Sequence, residues 1–246
     1  MYRIKICGIR TPSDARVAIK AGADALGFLV GTRYYTEDEV FPRRVKEILH
    51  AIDSKCLKHI KRVLVTHLLD ARDIVRLLKI LGFTYVQLHN AISVEEIKRL
   101  RDTLPQLKII KAVHGNGENP LDTALLYAEY ADALVVDTVA KTGNGKIRIG
   151  GTGKVHDWNI TARIVEMSPV PVILAGGLNP ENISYAIKQV LPYGVDVNSG
   201  VEDPRGNKHP LKVRQFVTVA RGLLIGGSLL EGSLSEGSLC EGCGTE

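Results

Sequence analysis

Eight short apolar runs, each followed by a segment with helical spacing, restrict this chain more than any other feature. The runs fall at residues 3–6, 25–30, 62–66, 84–88, 108–113, 133–136, 172–175 and 194–197. None is long enough to be a buried helix, and their β-branched content favours strands. Between them lie helix-like stretches ending near Lys20 and spanning residues 42–51, 71–81, 120–130, 160–167 and 208–221. Two further helices start near Ser93, with Glu96 completing a capping box, and at Asn179-Pro180. Strand–helix alternation without a large insertion predicts parallel strands joined by crossovers. An open doubly wound sheet would carry a glycine fingerprint after its first strand, and Cys7-Gly8-Ile9-Arg10 is not one. The expected fold is therefore α/β, a single (β/α)8 TIM barrel over residues 1–222.

Composition narrows the function classes. With 246 residues, 45% hydrophobic and 24% charged, the chain can bury one substantial core. No run approaches the ~18 apolar residues of a membrane span. Residues 2–6 enter the first strand directly, so no signal or transit peptide is expected. Cys7, Cys56, Cys240 and Cys243 are too scattered for a disulfide framework, which suits a reducing cytoplasm. The net charge of +5 is spread over many helices and aromatics are only 5%, which argues against a nucleic-acid surface. Expected partners are a phosphorylated small molecule, no nucleic acid and no membrane, with the chain a monomer or homodimer. Residues 223–246 carry the pentads Ser228-Leu229-Leu230-Glu231-Gly232, Ser233-Leu234-Ser235-Glu236-Gly237 and Ser238-Leu239-Cys240-Glu241-Gly242. That period suits neither helix nor strand and predicts a disordered tail. Cys240 and Cys243 are spaced like half a zinc site, but no second pair follows.

In such a barrel the residues at strand C-termini line the site. Here they are Cys7, Val30 to Arg33, His67, His89, His114, Asp137, Ala175 to Gly177 and Asn198 to Gly200. The last two strands each end in small residues, Gly176-Gly177 and Ser199-Gly200, where backbone N–H groups can crowd around an anion. Cys7 and Asp137 can move protons, as base and acid. The plain alternatives are a buried apolar thiol for Cys7 and a loop cap for Asp137. His67, His89 and His114 end neighbouring strands and raise zinc as a question, since three imidazoles converging at ~2.0–2.1 Å bind it. A ring at a barrel mouth more often bonds a neighbouring loop, and no metal is expected.

Several motifs, in order, resemble phosphoribosylanthranilate isomerases of tryptophan biosynthesis. They include Lys5-Ile6-Cys7-Gly8-Ile9, Val86-Gln87-Leu88-His89, Val136-Asp137-Thr138 and Gly150-Gly151-Thr152-Gly153-Lys154. Leu174-Ala175-Gly176-Gly177-Leu178-Asn179-Pro180 and Val195-Asp196-Val197-Asn198-Ser199-Gly200 complete them. The resemblance covers roughly residues 3 to 220. It implies a cofactor-free Amadori rearrangement of N-(5-phosphoribosyl)anthranilate, with Asp137 as general acid and Cys7 as general base. It implies that Gly176, Gly177, Ser199 and Gly200 hold the phosphate and that Arg33 meets the anthranilate carboxylate. Gln87, Gly151 and Gly153 join the substrate contacts on the same ground. The mouth departs from the family pattern at Val30-Gly31-Thr32-Arg33-Tyr34, at His67, at Asn90, at His114 and over residues 139–149. Two other readings therefore stand beside the isomerase. One is a relative acting on another phosphorylated sugar adduct, and the other is a non-catalytic phosphoribosyl binder.

Overall fold

The computed structural model describes residues 1–33, 36–115, 117–141, 147–149 and 157–226. The first half runs β1 (Ile4–Ile6), α1 (Pro12–Lys20), β2 (Ala25–Leu29), α2 (Pro42–His50), α3 (Ser54–Leu57), β3 (Lys61–Thr66), α4 (Ala71–Leu81) and β4 (Tyr85–Leu88). It continues through α5 (Val94–Thr103), β5 (Lys108–His114), α6 (Pro120–Ala128), β6 (Ala133–Asp137), β7 (Val139–Lys141) and β8 (Ile147–Ile149). The remainder is α7 (Trp158–Met167), β9 (Val172–Leu174), α8 (Ile183–Val190), β10 (Gly194–Val197) and α9 (Pro210–Gly226). Eight parallel strands close a barrel in the cyclic order β1, β2, β3, β4, β5, β6, β9, β10. The expected (β/α)8 architecture is what the chain adopts.

The two-residue period of a strand sorts its side chains between two cores. Ile4 and Ile6 of β1 face outward with Val195 and Val197 of β10, in the large core under the helices. The inward set includes Cys7, Ala25, Val63, Val65, Ile110, Ala112, Ala133, Val135, Ile173 and Ala175. Small and branched side chains thus fill the barrel, as its taper requires. The first and last strands meet in the register Ile4↔Val195, Lys5↔Asp196 and Ile6↔Val197, which closes the sheet.

Local chemistry explains most element ends. Thr11 caps α1 in a reciprocal box, its hydroxyl accepting from Asp14 N–H at 3.1 Å while the Asp14 carboxylate accepts from Thr11 N–H at 2.9 Å. The box expected at Ser93 forms only by half. Ser93 Oγ accepts from Glu96 N–H, but the Glu96 carboxylate accepts from Ala71 N–H at 2.7 Å instead. A donor at the start of α4 has outcompeted the one at Ser93. The helix expected at Asn179-Pro180 starts later, at Ile183. There Asn179 Oδ1 accepts from the N–H groups of Glu181 and Asn182, and this side-chain turn holds the backbone short of the helix. Within the loop after β6, β7 and β8 pair as an antiparallel ribbon that the glycine-rich sequence did not announce. α9 continues to Gly226, so residues 223–226 are helical and Leu223 and Leu224 pack against the core. The pentads, with Cys240 and Cys243, lie outside the described residues.

Candidate active site

Lys5 and Cys7 are two apart on β1 and enter the barrel together. Gly27, on the neighbouring strand β2, leaves the room they need: a methyl there would fall 2.7 Å from Cys7 Sγ and 3.1 Å from Lys5 Nζ. The Cys7 N–H donates to Val197 O at 2.8 Å, which ties the end of β1 to β10. The thiol itself is buried. Burial pushes it up to about 11, and the positive charge of Lys5 opposes that rise.

Asp137 ends β6 on the same rim. Its Oδ1 accepts from Thr138 N–H at 2.6 Å. The loop after β9 crosses close above it through Gly176, at φ +80°, where a methyl would fall 2.9 Å from Asp137 Oδ1 and 2.6 Å from Thr138 N. Only glycine allows both the left-handed backbone and that approach. Burial raises the Asp137 carboxyl to about 7, against the pull of the Thr138 N–H. A carboxylic acid that keeps its proton near neutrality is an available general acid.

The three histidines form one cluster at this rim. His89 lies between His67 and His114, with ring centroids 5.6 and 5.9 Å away. Burial, then the neighbouring His67 and His114, lower His89 well below the usual imidazole value, so it is neutral. Gln87 Nε2 stands 2.9 Å from His89 Nδ1 and His89 Nε2 stands 3.4 Å from Asp137 Oδ2. An amide N–H donating to Nδ1 fixes the proton on Nε2, facing the acid. The contact is a neutral N–H on a carboxyl oxygen and not an ion pair. With both His89 nitrogens so engaged, the rings are not poised around an ion. Among the described residues no cluster of His, Cys, Asp and Glu is placed to hold a metal.

The two small-residue loops pack on each other. Gly200, in a turn after β10, stands so close to the Leu178 carbonyl that no side chain fits. Asn182 Nδ2 donates to Gly177 O at 2.9 Å and its Oδ1 accepts from Asn179 N–H at 2.9 Å, which braces the first loop. Gly176, Gly177, Ser199 and Gly200 are thus together beside the rim. Gly151 and Gly153 lie outside the described residues. Arg33 is exposed on the loop after β2. Arg10 meets the same loop, at 3.3 Å from Glu37 O and 3.9 Å from the Asp38 carboxylate. Gln87 is buried, and its amide oxygen has no hydrogen-bond partner among the described residues.

Sequence reasoning assigned no role to Lys5 and Asp196, whose Nζ and Oδ2 are 2.6 Å apart inside the barrel. The signal was present: a charged residue flanked by Ile4 and Ile6, and another flanked by Val195 and Val197, on strands that are otherwise apolar.

Comparisons with known proteins agree with one another. A family model described as N-(5'-phosphoribosyl)anthranilate (PRA) isomerase matches residues 4–219. N-(5'-phosphoribosyl)anthranilate isomerase 2 of Methanosarcina mazei is 42% identical over 219 residues, which cover 89% of this chain and 94% of that protein. The phosphoribosyl anthranilate isomerase of Thermotoga maritima superposes with a TM-score of 0.75 at 31% identity, covering 91% of this chain and all of that one. A structure of such an isomerase in complex with reduced 1-(o-carboxyphenylamino)-1-deoxyribulose 5-phosphate gives a TM-score of 0.73 at 29% identity, with 91% and 100% coverage. By the extent of these matches, this chain belongs to the N-(5'-phosphoribosyl)anthranilate isomerase family.

Proposed function

We propose that this chain isomerises N-(5'-phosphoribosyl)anthranilate to 1-(2-carboxyphenylamino)-1-deoxyribulose 5-phosphate, with Asp137 as acid and Cys7 as base. Asp137 gives its proton to the ribose ring oxygen as the C1–O bond breaks, and the nitrogen lone pair forms the iminium. The positive nitrogen acidifies the C2–H bond. Cys7 thiolate takes that proton, and the C–H electrons form the C1=C2 bond while the iminium π pair returns to nitrogen. The resulting enolamine becomes the ketone as C1 gains a proton and the C2 hydroxyl loses one. Every transfer uses a side chain or the substrate itself, so no cofactor is required.

The phosphate rests on the backbone N–H groups of Gly176, Gly177, Ser199 and Gly200, with Gly151 and Gly153 completing the contacts. Arg33 faces the anthranilate carboxylate, and the Gln87 oxygen accepts from the substrate. A thiol base has to stay reduced, and we place the enzyme in the cytoplasm on that ground.

The observation that carries this reading is the family match over the whole barrel, with a thiol and a carboxylic acid on one rim. Purified protein should consume N-(5'-phosphoribosyl)anthranilate and restore growth to a tryptophan auxotroph lacking this isomerase. Folded, well-expressed protein that does neither would overturn the assignment. It would favour another phosphorylated sugar adduct, a reading to which the buried His67 and half-buried His114 at the mouth lend support.

A further inference from the structure

The proposed chemistry sets two demands on one rim of the barrel. Cys7 has to give up its proton while Asp137 keeps its own, although burial favours the neutral form of both. Inward of Cys7, where β1 meets β10, lies the Lys5–Asp196 pair, Lys5 fully buried and Asp196 nearly so, Nζ to Oδ2 2.6 Å apart. A buried ion pair is a weak device for stability, because desolvation offsets most of its attraction. Its orientation points to another use. The ammonium shares the space at Gly27 with the Cys7 sulfur. The carboxylate belongs to β10, two strands from Asp137 around the barrel through β9. Asp196 Oδ1 has no hydrogen-bond partner among the described residues, so no donor there competes with the ion pair to Lys5.

We propose that Lys5 and Asp196 are a positioning pair for protons, an oriented dipole whose positive end favours thiolate at Cys7 and whose negative end holds the proton on Asp137. At Cys7 the ammonium outweighs the carboxylate, and at Asp137 the carboxylate outweighs the ammonium. Other charged or titratable groups also face them: the buried Tyr2 hydroxyl shares the inner cluster with Cys7 and interacts with both Lys5 and Asp196, and it is neutral because burial raises it far above its ordinary value. Lys208 adds a weaker positive influence at Cys7, and neutral His89 contacts Asp137. The reactive form, thiolate with acid, differs from thiol with carboxylate by one proton moved between the two groups. The dipole tilts that exchange toward the reactive side. This role rests on the acid and base assignment above.

The test is the double variant Lys5→Met/Asp196→Asn, which removes both charges without leaving either buried alone, with Lys5→Met beside it. The first readout needs no substrate: the rate of Cys7 alkylation by iodoacetamide against pH, followed by peptide mass spectrometry with Cys56 as internal control. At pH 8 to 9 the double variant should alkylate Cys7 about tenfold more slowly or worse, one pKa unit being a factor of ten in thiolate. The Asp137 carboxyl, followed by 13C NMR, should ionise at lower pH than in the parent protein. With substrate, kcat/KM should fall at least about a hundredfold while affinity for a reduced product analogue stays within about threefold. A merely structural pair would lower the melting temperature while leaving Cys7 reactivity unchanged or increased. That result, or unchanged ionisation of Asp137, would overturn the proposal. Wild-type protein inert toward N-(5'-phosphoribosyl)anthranilate would sink the functional reading alone, since the thiol and carboxyl titrations stand without it.

Discussion

Cys7 is an unfavourable place for a thiolate and a favourable one for a substrate-triggered base. Burial disfavours its charged form, and the nearest compensating charge, Lys5, comes from its own strand. Cys7→Ser should lower kcat by about 10²–10⁴, the usual worth of a positioned base, because a hydroxyl is far harder to deprotonate. Binding of a phosphorylated product analogue should be unchanged, and near-parental turnover would remove Cys7 from the role. Lys111 shows a different buried charge. It points outward from β5, its amine against the Ala112 carbonyl and 4.5 Å from the Tyr127 ring centroid, with burial lowering it from 10.5 to about 7. Between those pH values the unfolded chain binds the extra proton, so stability should climb as pH rises from about 7 to about 10. Lys111→Met should raise the melting temperature at pH 7 by several degrees and flatten that slope. A fall at pH 7 would mean that the amine's two contacts outweigh its desolvation. The rim positions of Cys7 and Asp137 were legible in the sequence because each ends an apolar run, and the ends of barrel strands form the mouth. The partnership of Lys5 with Asp196 was not, since a period of two assigns a face and says nothing about a side chain 191 residues away.

Among the elements, the loops and helix starts carry what the alternation of apolar runs left open. The eight barrel strands were readable from apolar content alone, and α4 and β10 have the bounds expected for them. Caps depend on donors contributed by other segments. Glu96 illustrates this, since its carboxylate serves Ala71 N–H and Arg99 in place of Ser93. Glu96→Ala should therefore cost about 1 kcal/mol, as lost caps do. The loss should appear as faster hydrogen exchange at the start of α4, beyond that at α5. Protection lost only within α5 would contradict this. The loop after β2 is held from outside too: Arg10 meets it, and Asn198 Nδ2 donates to Asp38 Oδ2 at 2.8 Å. On the function proposed above, Arg33, exposed on that loop, reads the anthranilate carboxylate. Arg33→Ala should lower kcat/KM about tenfold to a hundredfold, the worth of ~1.5–3 kcal/mol for a charged hydrogen bond. An aniline-bearing ribosyl phosphate should lose far less. Equal penalties on the two substrates would show that Arg33 does not read the carboxylate.

Over the whole molecule, the closed eight-strand barrel followed from counting apolar runs and finding no early phosphate fingerprint. The β7–β8 ribbon did not follow, because its strands are three residues each, too short for any periodicity to register. Nor did the length of α9, whose last turn reads as glycine-rich until Leu223 and Leu224 find the core. The register at the seam is the feature with the widest reach. Lys5 pairs with Asp196 across the join between the first strand and the last. On a ribosome the first strand emerges roughly 10 to 40 s before the last, at about 5–20 residues per second. Throughout that interval Cys7 has neither the opposite charge that balances Lys5 nor a closed wall around it. On the acid and base roles proposed above, a chain cut before β10 therefore lacks what makes Cys7 a base and should be inert toward the substrate, releasing no half-reacted sugar.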